Sequence, residues 1–337
     1  MAQVFLTGGG GFIGGRLAAA LAARGDTVVG LARTPASAAA LKAHGAAVVD
    51  GDVLDEAGLR AAMAGCEVVH HVAGVNSHCP ADPGRLLRVN VDGTAAVVRA
   101  AAAAGVRRVV FTSSAASVGE AHGTVGTEDS PHRGSYLSVY DRSKHESEQV
   151  AFRLAAETGV EVVALNPSSV QGPPRKGGNG AIIIAYLNGR LRAFVDTFVS
   201  VVDVEDVVAA HLLAAERGTP GARYILNGAT ISSAEALEIV AGLSGVRQRV
   251  PMIPAPVARG LSGAVDVLFR LRGRTSPICP ARVETILHGH RYDGSRATRE
   301  LGVVYTPVEE TFRRTMEWAV AEGLVTRPLP GAASNIR

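Results

Sequence analysis

Residues 1–33 read MAQVFLTGGGGFIGGRLAAALAARGDTVVGLAR, and this stretch decides the fold of the chain. An apolar run leads into a glycine cluster, and an alanine-rich helical segment and a second apolar run follow. Gly8, Gly11 and Gly14 have the spacing G-x-x-G-x-x-G, which predicts a strand, a tight turn and a helix whose first N–H groups approach a diphosphate. A flexible glycine loop without a ligand is the alternative, and the flanking strand and helix argue against it.

Apolar runs and helical segments continue to alternate through the first half of the chain. Because strands joined through helices form right-handed crossovers, this alternation predicts an α/β fold with a doubly wound parallel sheet of the Rossmann type. The runs expected as the second to sixth strands are residues 27–32, 46–49, 67–72, 106–112 and 160–165.

The alternation loosens after residue 166, which indicates a second, smaller and mostly helical C-terminal domain. We expect residues 1–166 to form the dinucleotide-binding domain and residues 203–228 to return to it. The substrate-binding lid is expected at residues 167–202 and 229–325, and residues 326–337 are expected to be a flexible tail.

The composition is that of a soluble globular protein, with 47% hydrophobic and 19% charged residues in a chain of 337. A net charge of +3 is too small to indicate nucleic-acid binding. No uncharged apolar run is long enough for stable membrane insertion. Residues 251–272 are expected to form an amphipathic helix that covers a pocket or a partner, with contact to a membrane interface as the less favoured alternative.

The three cysteines, Cys66, Cys79 and Cys279, lack metal-ligand spacing and cannot all pair within the chain, because their number is odd. This favours a reducing compartment, and the absence of room for a signal peptide before the first strand supports a cytoplasmic protein. His70 and His71 would face opposite sides of a strand, so we expect packing roles for both and no metal site.

Arg33 closes the second strand, where a dinucleotide fold reads the adenosine ribose. No acidic residue that could bond a 2′-hydroxyl lies between residues 27 and 49, and an arginine suits a 2′-phosphate, so NADP(H) is preferred over NAD(H). A solvated surface arginine is the alternative. Asp52 follows the third strand and could accept from the adenine amino group or cap the next helix, a role that Asp55 could also fill.

Tyr140 and Lys144 are four residues apart on an expected helix and therefore share one face. An adjacent ammonium favours the phenolate, so the pair predicts a tyrosine that works as an acid and base near neutral pH. Ser114 follows the fifth strand and could orient a substrate carbonyl beside it. An exposed aromatic residue next to a solvated lysine is the alternative.

These motifs together resemble the extended short-chain dehydrogenase/reductase family, within the NAD-dependent epimerase/dehydratase superfamily. The matches span about half of the chain in the family's order, and they look most like the dihydroflavonol-reductase-like and hopanoid-associated epimerase-like branch. They are Thr7-Gly8-x-x-Gly11-x-x-Gly14, Asp52, Ala73-Gly74, Asn90-Val91-Asp92-Gly93-Thr94, Thr112-Ser113-Ser114, Tyr140-x-x-x-Lys144 and Asn166-Pro167.

The resemblance implies that Tyr140 is the acid and base, Ser114 orients the carbonyl, and Asn90 supports the hydrogen-bond network. Lys144 would bind the nicotinamide ribose and lower the tyrosine pKa. The expected cofactor contacts are Thr7, Gly8, Gly11, Phe12, Ile13, Gly14, Arg33, Asp52, Val53, Ala73, Gly74, Tyr140, Lys144, Asn166, Pro167 and Ser169. The expected substrate contacts are Val75, Asn76, Ser114, Val170, Ile183, Phe194 and Val199.

The family also contains nucleotide-sugar epimerases and dehydratases. Many of them carry an arginine before a V-x-D segment, and dehydratases tend to have Asp-Glu after the catalytic hydroxyl. Here residues 198–202 are mostly apolar, Asp203 replaces a frequent histidine, and Ala115 and Ala116 replace the acidic pair. Because an unpaired diphosphate is costly to bury, we expect an NADP(H)-dependent oxidoreductase acting on a ketone or aldehyde of a small, largely apolar molecule, or on the alcohol.

Two alternatives stay open. One is an NAD-dependent (nucleotide-)sugar epimerase or dehydratase, for which arginine and lysine residues elsewhere in the lid could supply the positive charge. The other is a non-catalytic NADP-binding sensor or scaffold, which the intact catalytic set argues against. A homodimer is expected, because two long helices, residues 83–104 and 140–157, could pack as a four-helix bundle as in many relatives.

Overall fold

The computed structural model describes residues 2–274, 276 and 278–330. The strands are β1 Gln3–Thr7, β2 Thr27–Ala32, β3 Ala47–Asp50, β4 Val68–His71, β5 Arg108–Thr112, β6 Glu161–Pro167, β7 Ser169–Gln171, β8 Phe194–Val195, β9 Phe198–Asp203, β10 Arg223–Leu226, β11 Ala229–Ser232 and β12 Met252–Ile253. The α-helices are α1 Phe12–Ala23, α2 Pro35–Ala43, α3 Glu56–Ala62, α4 Pro83–Leu87, α5 Gly93–Ala103, α6 Val139–Thr158, α7 Asn179–Leu187, α8 Val204–Arg217, α9 Ser233–Ser244, α10 Ala255–Leu271, α11 Pro280–His288, α12 Ser295–Leu301 and α13 Val308–Ala321.

Seven parallel strands form the central sheet in the order β3-β2-β1-β4-β5-β6-β10. The central strands read as near-continuous apolar runs because helices cover both faces. Helices α1, α2, α8 and α12 pack on one face, and α3, α5 and α6 on the other. This arrangement confirms the predicted doubly wound α/β fold.

The long helix expected over residues 83–104 is interrupted. A π-helical turn, Arg88–Asp92, separates α4 from α5. A π turn inserts one residue into the helical ladder, and such turns often mark functional positions. The uninterrupted helix of the sequence analysis was therefore wrong in detail, and Asn90 lies in the middle of this turn.

A second region covers the carboxyl ends of the sheet strands. Strands β7, β9 and β11 form a small three-stranded sheet, and β8 pairs with β12. Helices α7, α9 and α13 pack around a separate apolar cluster that includes Tyr186, Leu187, Val240, Phe312 and Met316. The C-terminal region is mostly helical, as predicted, and no helix of the described residues is long and apolar enough to cross a membrane.

A disulfide joins Cys79, in the loop after β4, to Cys279, immediately before α11. Cys66 is buried and free. Disulfides are rare in reducing compartments, so the cysteines no longer support the reducing compartment that their number suggested. The bond connects the α10–α11 segment with the loop that leaves the sheet between β4 and α4.

Part of the expected flexible tail is attached to the substrate region. Thr326 donates from its backbone N–H and from its hydroxyl to Oδ1 of Asn188, at 2.8 and 2.9 Å. Leu329 packs against the cluster formed by α7, α9 and α13. Residues 331–337 of that prediction lie outside the described residues.

Candidate functional site

The glycine turn between β1 and α1 forms one end of a cleft of about 1160 Å³. Gly8 has φ +74°, and a Cβ there would lie 2.6 Å from the backbone N of Ala73. A Cβ on Gly14 would lie 2.1 Å from the Gly8 carbonyl oxygen, so both positions require glycine. Gly11 is the N-cap of α1 and offers no side-chain cap, which leaves the positive end of the helix open to a diphosphate.

Arg33 and Asp52 lie together at the far end of the cleft, past β2 and β3. Arg33 Nη1 is 3.8 Å from Asp52 Oδ2, and both side chains are partly exposed. Asp55, and not Asp52, caps α3 by accepting from the Gly58 N–H. Asp52 therefore stays on the cleft wall, where the sequence analysis expects the adenine.

A buried chain of hydrogen bonds runs from the cleft floor into the π turn. The Ala73 N–H donates to Thr7 Oγ1, and Thr7 Oγ1 lies 2.8 Å from His71 Nδ1. His71 Nε2 lies 3.0 Å from Thr94 Oγ1, which donates to the Asn90 carbonyl oxygen. Because Thr94 gives its proton to that carbonyl, His71 must donate through Nε2 and accept from Thr7 through Nδ1.

This network changes the interpretation of two predicted residues. Burial, with Lys144 nearby, lowers the pKa of His71 to about 3, so the ring is neutral and holds one tautomer. His71, for which only a packing role was predicted, therefore links the glycine turn to the π turn. Thr7 is fully buried behind the turn and does not line the cleft, so it positions Ala73.

Tyr140, Lys144 and Ser114 line the middle of the cleft. Tyr140 and Lys144 are four residues apart on α6 and therefore lie one turn apart on the same face. Ser138 caps this helix by accepting from the Asp141 N–H. Ser114 follows β5. The structure therefore brings together three predicted side chains, one that follows β5 and two on α6.

Burial raises the pKa of Tyr140, and a hydrogen bond from Ser114 and the charge of Arg175 oppose that rise. Lys144, which was predicted to lower this pKa, is not among the causes of the shift, and its Nζ donates to the Thr112 carbonyl oxygen at 3.0 Å. Burial lowers the pKa of Lys144 to about 8. The phenol is accordingly protonated at neutral pH and can act as a proton donor.

Asn90 does not reach the cleft but supports its floor. Its Oδ1 accepts from the Val75 N–H at 2.7 Å, and its Nδ2 donates to the Val75 carbonyl oxygen and to Ser143 Oγ. The π turn aims this amide between the loop after β4 and helix α6. Asn90 thus fixes the loop that carries Gly74 relative to the helix that carries Tyr140.

Asn166 was predicted to contact the cofactor, but it is fully buried and does not line the cleft. Its Nδ2 donates to Glu148 Oε2 at 2.6 Å and to Ser117 Oγ at 2.8 Å. Glu148 also accepts from Ser113 and lies 3.2 Å from Arg223 Nε. This buried carboxylate therefore ties α6 to the ends of β5, β6 and β10, and Asn166 is part of that support.

Most of the remaining predicted contacts lie on the cleft wall. Pro167 and Ser169 border it. Ile183 does not, because it lines a small adjacent apolar cavity, which shares Ile182, Phe194 and Val199 with the cleft. The predicted residues on the cleft wall are Gly8, Gly11, Phe12, Ile13, Gly14, Arg33, Asp52, Val53, Ala73, Gly74, Val75, Asn76, Ser114, Tyr140, Lys144, Pro167, Ser169, Val170, Phe194 and Val199.

The structure adds residues that the sequence analysis did not select. The His78 ring meets the Tyr140 ring edge-on, with centroids 5.1 Å apart. Arg175 lies 5.3 Å from the Phe12 ring centroid and donates to the Val170 carbonyl oxygen. His78 follows Ala73-Gly74 closely in the sequence, and this position could have identified it as a residue of the cleft. No sequence pattern identified the lining residues from the C-terminal region, which are Ser276, Arg282, Thr285, Ile286, His290 and Tyr292.

Glu120, His288 and His290 form a cluster of potential metal ligands beside the cleft, with ligand atoms within 4.8 Å of one another. Glu120 Oε1 lies 2.5 Å from His290 Nδ1 and 3.3 Å from His288 Nε2. Two ligands of one tetrahedral ion lie roughly 3.3 Å apart, so the shorter distance is that of a hydrogen bond. Burial raises the pKa of Glu120, but the bonds to the two rings outweigh this and bring it to about 2, so the cluster is a hydrogen-bonded network.

The chain is similar to a known protein family and to several of its reductases. The model of the NAD-dependent epimerase/dehydratase family matches residues 4–226. Over 331 residues the chain is 33% identical to sterol demethylase protein B of Methylococcus capsulatus, covering 95% of this chain and 99% of that protein. Dihydroflavonol-reductase-like and cinnamoyl-CoA reductase proteins are also among the relatives.

Two further similarities concern a ketoreductase and a solved structure. The chain is 30% identical over 307 residues to the 4-hydroxy-2-methyl-3-oxo-4-farnesyl-3,4-dihydroquinoline-1-oxide ketoreductase of Stigmatella aurantiaca, covering 89% of this chain and 91% of that one. The fold of this chain is similar to that in the crystal structure of gox2253, with a TM-score of 0.84 and 27% identity, covering 96% of this chain and 99% of that chain.

Proposed function

The chain belongs to the NAD-dependent epimerase/dehydratase family, as an NAD(P)-dependent oxidoreductase of its extended short-chain type, and we propose that it reduces a ketone or aldehyde of a small, largely apolar molecule with NADPH. The observation that carries the proposal is the protonated Tyr140 beside Ser114, facing a substrate wall of apolar side chains. That wall is formed by Val75, Val170, Phe194 and Val199.

Each side chain has a distinct part in this reaction. The bound nicotinamide supplies the hydride. Ser114 donates a hydrogen bond to the substrate carbonyl oxygen, and Tyr140 gives its proton to that oxygen as the alcohol forms. Lys144 holds the ribose hydroxyls at its ammonium, and Asn90 keeps the loop under the nicotinamide at a fixed distance from α6.

The cofactor domain in this proposal comprises residues 1–166 with residues 203–228, and the lid comprises residues 167–202 and 229–325. Two relatives bear names that mention bulky apolar substrates, a sterol and a farnesyl quinoline oxide. Those names agree with an apolar substrate wall. The homodimer and the cytoplasmic location remain predictions.

Replacing Tyr140 with phenylalanine tests the mechanism. Tyr140→Phe removes the proton donor but keeps the ring, so turnover should fall by about 10²–10⁴-fold while NADPH affinity changes little. Turnover with a panel of ketones and NADPH binding by nicotinamide fluorescence are the measurements. Tyr136→Phe, on a partly exposed tyrosine near the same helix, is the matched control and should stay active. Full activity of Tyr140→Phe would refute the assignment.

A nucleotide-sugar epimerase is the second candidate, and one observation favours it. Arg175 and Arg282 both line the cleft and could face a diphosphate. Arg175, however, already donates to the Val170 carbonyl oxygen. NAD that stays bound through purification, together with interconversion of a nucleotide sugar, would favour the epimerase over the reductase.

A further inference from the structure

Helix α10 exposes more large apolar side chains than a surface helix of a globular protein usually does. Its buried residues are small or polar, namely Ala258, Ser262 and Asp266. Val265 and Phe269 are half-buried on the same side, but the other large apolar side chains face solvent, whereas an ordinary surface helix turns them inward. We call these exposed side chains the outer stripe, and they are Val257, Leu261, Val267, Leu268 and Leu271.

The outer stripe is continuous along the helix. Val257, Leu261, Leu268 and Leu271 follow one another at spacings of four, seven and three residues, which places them on one face. Leu271 is 80% exposed, and Ile278, seven residues further along the chain, is 50% exposed. A contiguous exposed apolar surface of this kind marks an interaction site.

The charges around the outer stripe are positive. Arg272 and Arg274 are exposed at the C-terminal end of α10, whereas Arg259 and Arg270 each pair with a carboxylate, that of Glu284 and that of Asp266. Asp266 is the single acidic residue in the sequence from 255 to 274, and it is buried and 2.8 Å from Arg270. Anionic lipid headgroups would complement these exposed arginines.

The outer stripe belongs to the segment that borders the cleft. Helix α11 contributes Thr285 and Ile286 to the cleft wall, and Arg259 on α10 donates to Glu284 on α11 at 2.7 Å. The disulfide between Cys79 and Cys279 holds the start of α11 against the loop after β4. A surface that receives the outer stripe would therefore lie next to the segment that forms this part of the cleft wall.

We propose that the outer stripe of α10 docks on the surface of a bilayer that contains anionic lipids, with the helix parallel to the membrane plane. The apolar side chains enter the acyl region and the arginines contact the headgroups. This contact is peripheral. It stands apart from the reductase proposal, because it concerns a surface outside the cleft and its test uses no substrate.

Vesicle flotation of the full chain tests the proposal. The protein should float with phosphatidylcholine vesicles containing about one third phosphatidylglycerol, and more weakly with phosphatidylcholine alone. Leu261→Gln combined with Leu268→Gln should weaken binding by at least about tenfold, since two apolar side chains leave the acyl region. Val304→Gln is the matched control, because Val304 is 84% exposed but lies away from α10.

Further measurements separate loss of membrane binding from misfolding and from dimerisation. Circular dichroism should be unchanged in the double leucine variant and in Val304→Gln, which excludes misfolding as the cause of weaker binding. Arg272→Gln combined with Arg274→Gln should reduce the preference for anionic vesicles. A wild-type chain that does not float, or that floats as well after the leucine substitutions, would overturn the proposal. A dimer that dissociates on those substitutions, without vesicle binding, would assign the outer stripe to a second copy.

Discussion

Arg33 is the residue on which the proposed NADPH preference depends. Its guanidinium is half exposed and lies 3.8 Å from Asp52, so a 2′-phosphate would meet an available cation that is only loosely paired. A charge-assisted pair of this kind contributes roughly 1.5–3 kcal/mol. Arg33→Ala should therefore weaken NADPH binding about tenfold or more and leave NADH binding almost unchanged, as measured by titration of nicotinamide fluorescence.

Arg153→Ala, on the exposed surface of α6, is the control for this measurement and should bind both cofactors like the wild type. Equal affinity of the wild-type chain for NADH and NADPH would contradict the role of Arg33. It would also favour the epimerase, since a tightly held NAD suits that reaction.

Thr94 is a positioning residue for Asn90, because it joins the His71 ring to the carbonyl oxygen of the π turn. Thr94→Val keeps the shape but leaves the His71 N–H without an acceptor, which costs about 1–3 kcal/mol in the free energy of unfolding. We expect kcat to fall about tenfold or more through the displaced loop, with the KM for NADPH nearly unchanged.

Thr315 offers a matched control for Thr94. It is also fully buried and also donates to the carbonyl oxygen four residues earlier, that of Thr311, but on α13 far from the catalytic side chains. Thr315→Val should therefore leave kcat intact. Equal kinetic effects of the two substitutions would show that Thr94 acts only through general stability.

At the scale of elements, the close packing of α1 on the turn after β1 requires glycine at position 14 but not at the adjacent Gly15. A Cβ on Gly14 would lie 2.1 Å from the Gly8 carbonyl oxygen, whereas a Cβ on Gly15 would lie 3.5 Å from that of Gly9, an ordinary contact. Gly14→Ala should force the turn open, abolish NADPH binding and destabilise the fold by about 1–3 kcal/mol. Gly15→Ala should bind NADPH normally and gain up to about 1 kcal/mol of helix stability.

Urea unfolding and fluorescence titration of the two alanine variants provide the comparison. If Gly14→Ala bound NADPH as well as Gly15→Ala, the close packing of α1 on the turn would not be needed for binding. The elements themselves followed from the sequence, since apolar runs and glycine spacing are local. The π turn did not, because no local pattern distinguishes the inserted residue within a continuous helical segment.

At the scale of the whole molecule, buried histidines make the fold sensitive to acid. Burial, aided by positive charge nearby, lowers the pKa of His70 and His71 to about 3, and burial lowers the pKa of His211 well below its ordinary 6.5. The unfolded chain takes up these protons near pH 6.5, while the folded chain does not. Stability is therefore complete above pH 6.5 and is lost as pH falls towards 3.

We expect each of His70 and His71 to cost about 2 kcal/mol of stability at pH 5 relative to pH 7.5, because a pKa difference of one unit corresponds to about 1.4 kcal/mol. Urea unfolding at the two pH values measures the difference. Histidine ring resonances that stay neutral at pH 5 would identify the responsible side chains. A free energy of unfolding that is equal at both pH values would contradict the prediction.

By itself the sequence determined the doubly wound sheet, the cofactor turn and the grouping of Ser114, Tyr140 and Lys144. These depend on periodicity, glycine spacing and the rule that parallel strands end at one edge, all of which are readable over short distances. The tertiary structure alone decided which of the polar residues support the site rather than face it. Asn166 and Thr7 are examples, because their partners lie on other elements, Glu148 on α6 for Asn166 and His71 on β4 for Thr7.

The tertiary structure also decided how the lid meets the cleft. The pairing of Cys79 with Cys279 spans 200 residues, and Thr285 and His290 reach the cleft from the same distant region. The side of α10 that packs against α11 decides which of its side chains are exposed. An amphipathic pattern in the sequence does not specify that side. Such contacts between distant parts of the chain follow from global packing, for which a single sequence contains no local signal.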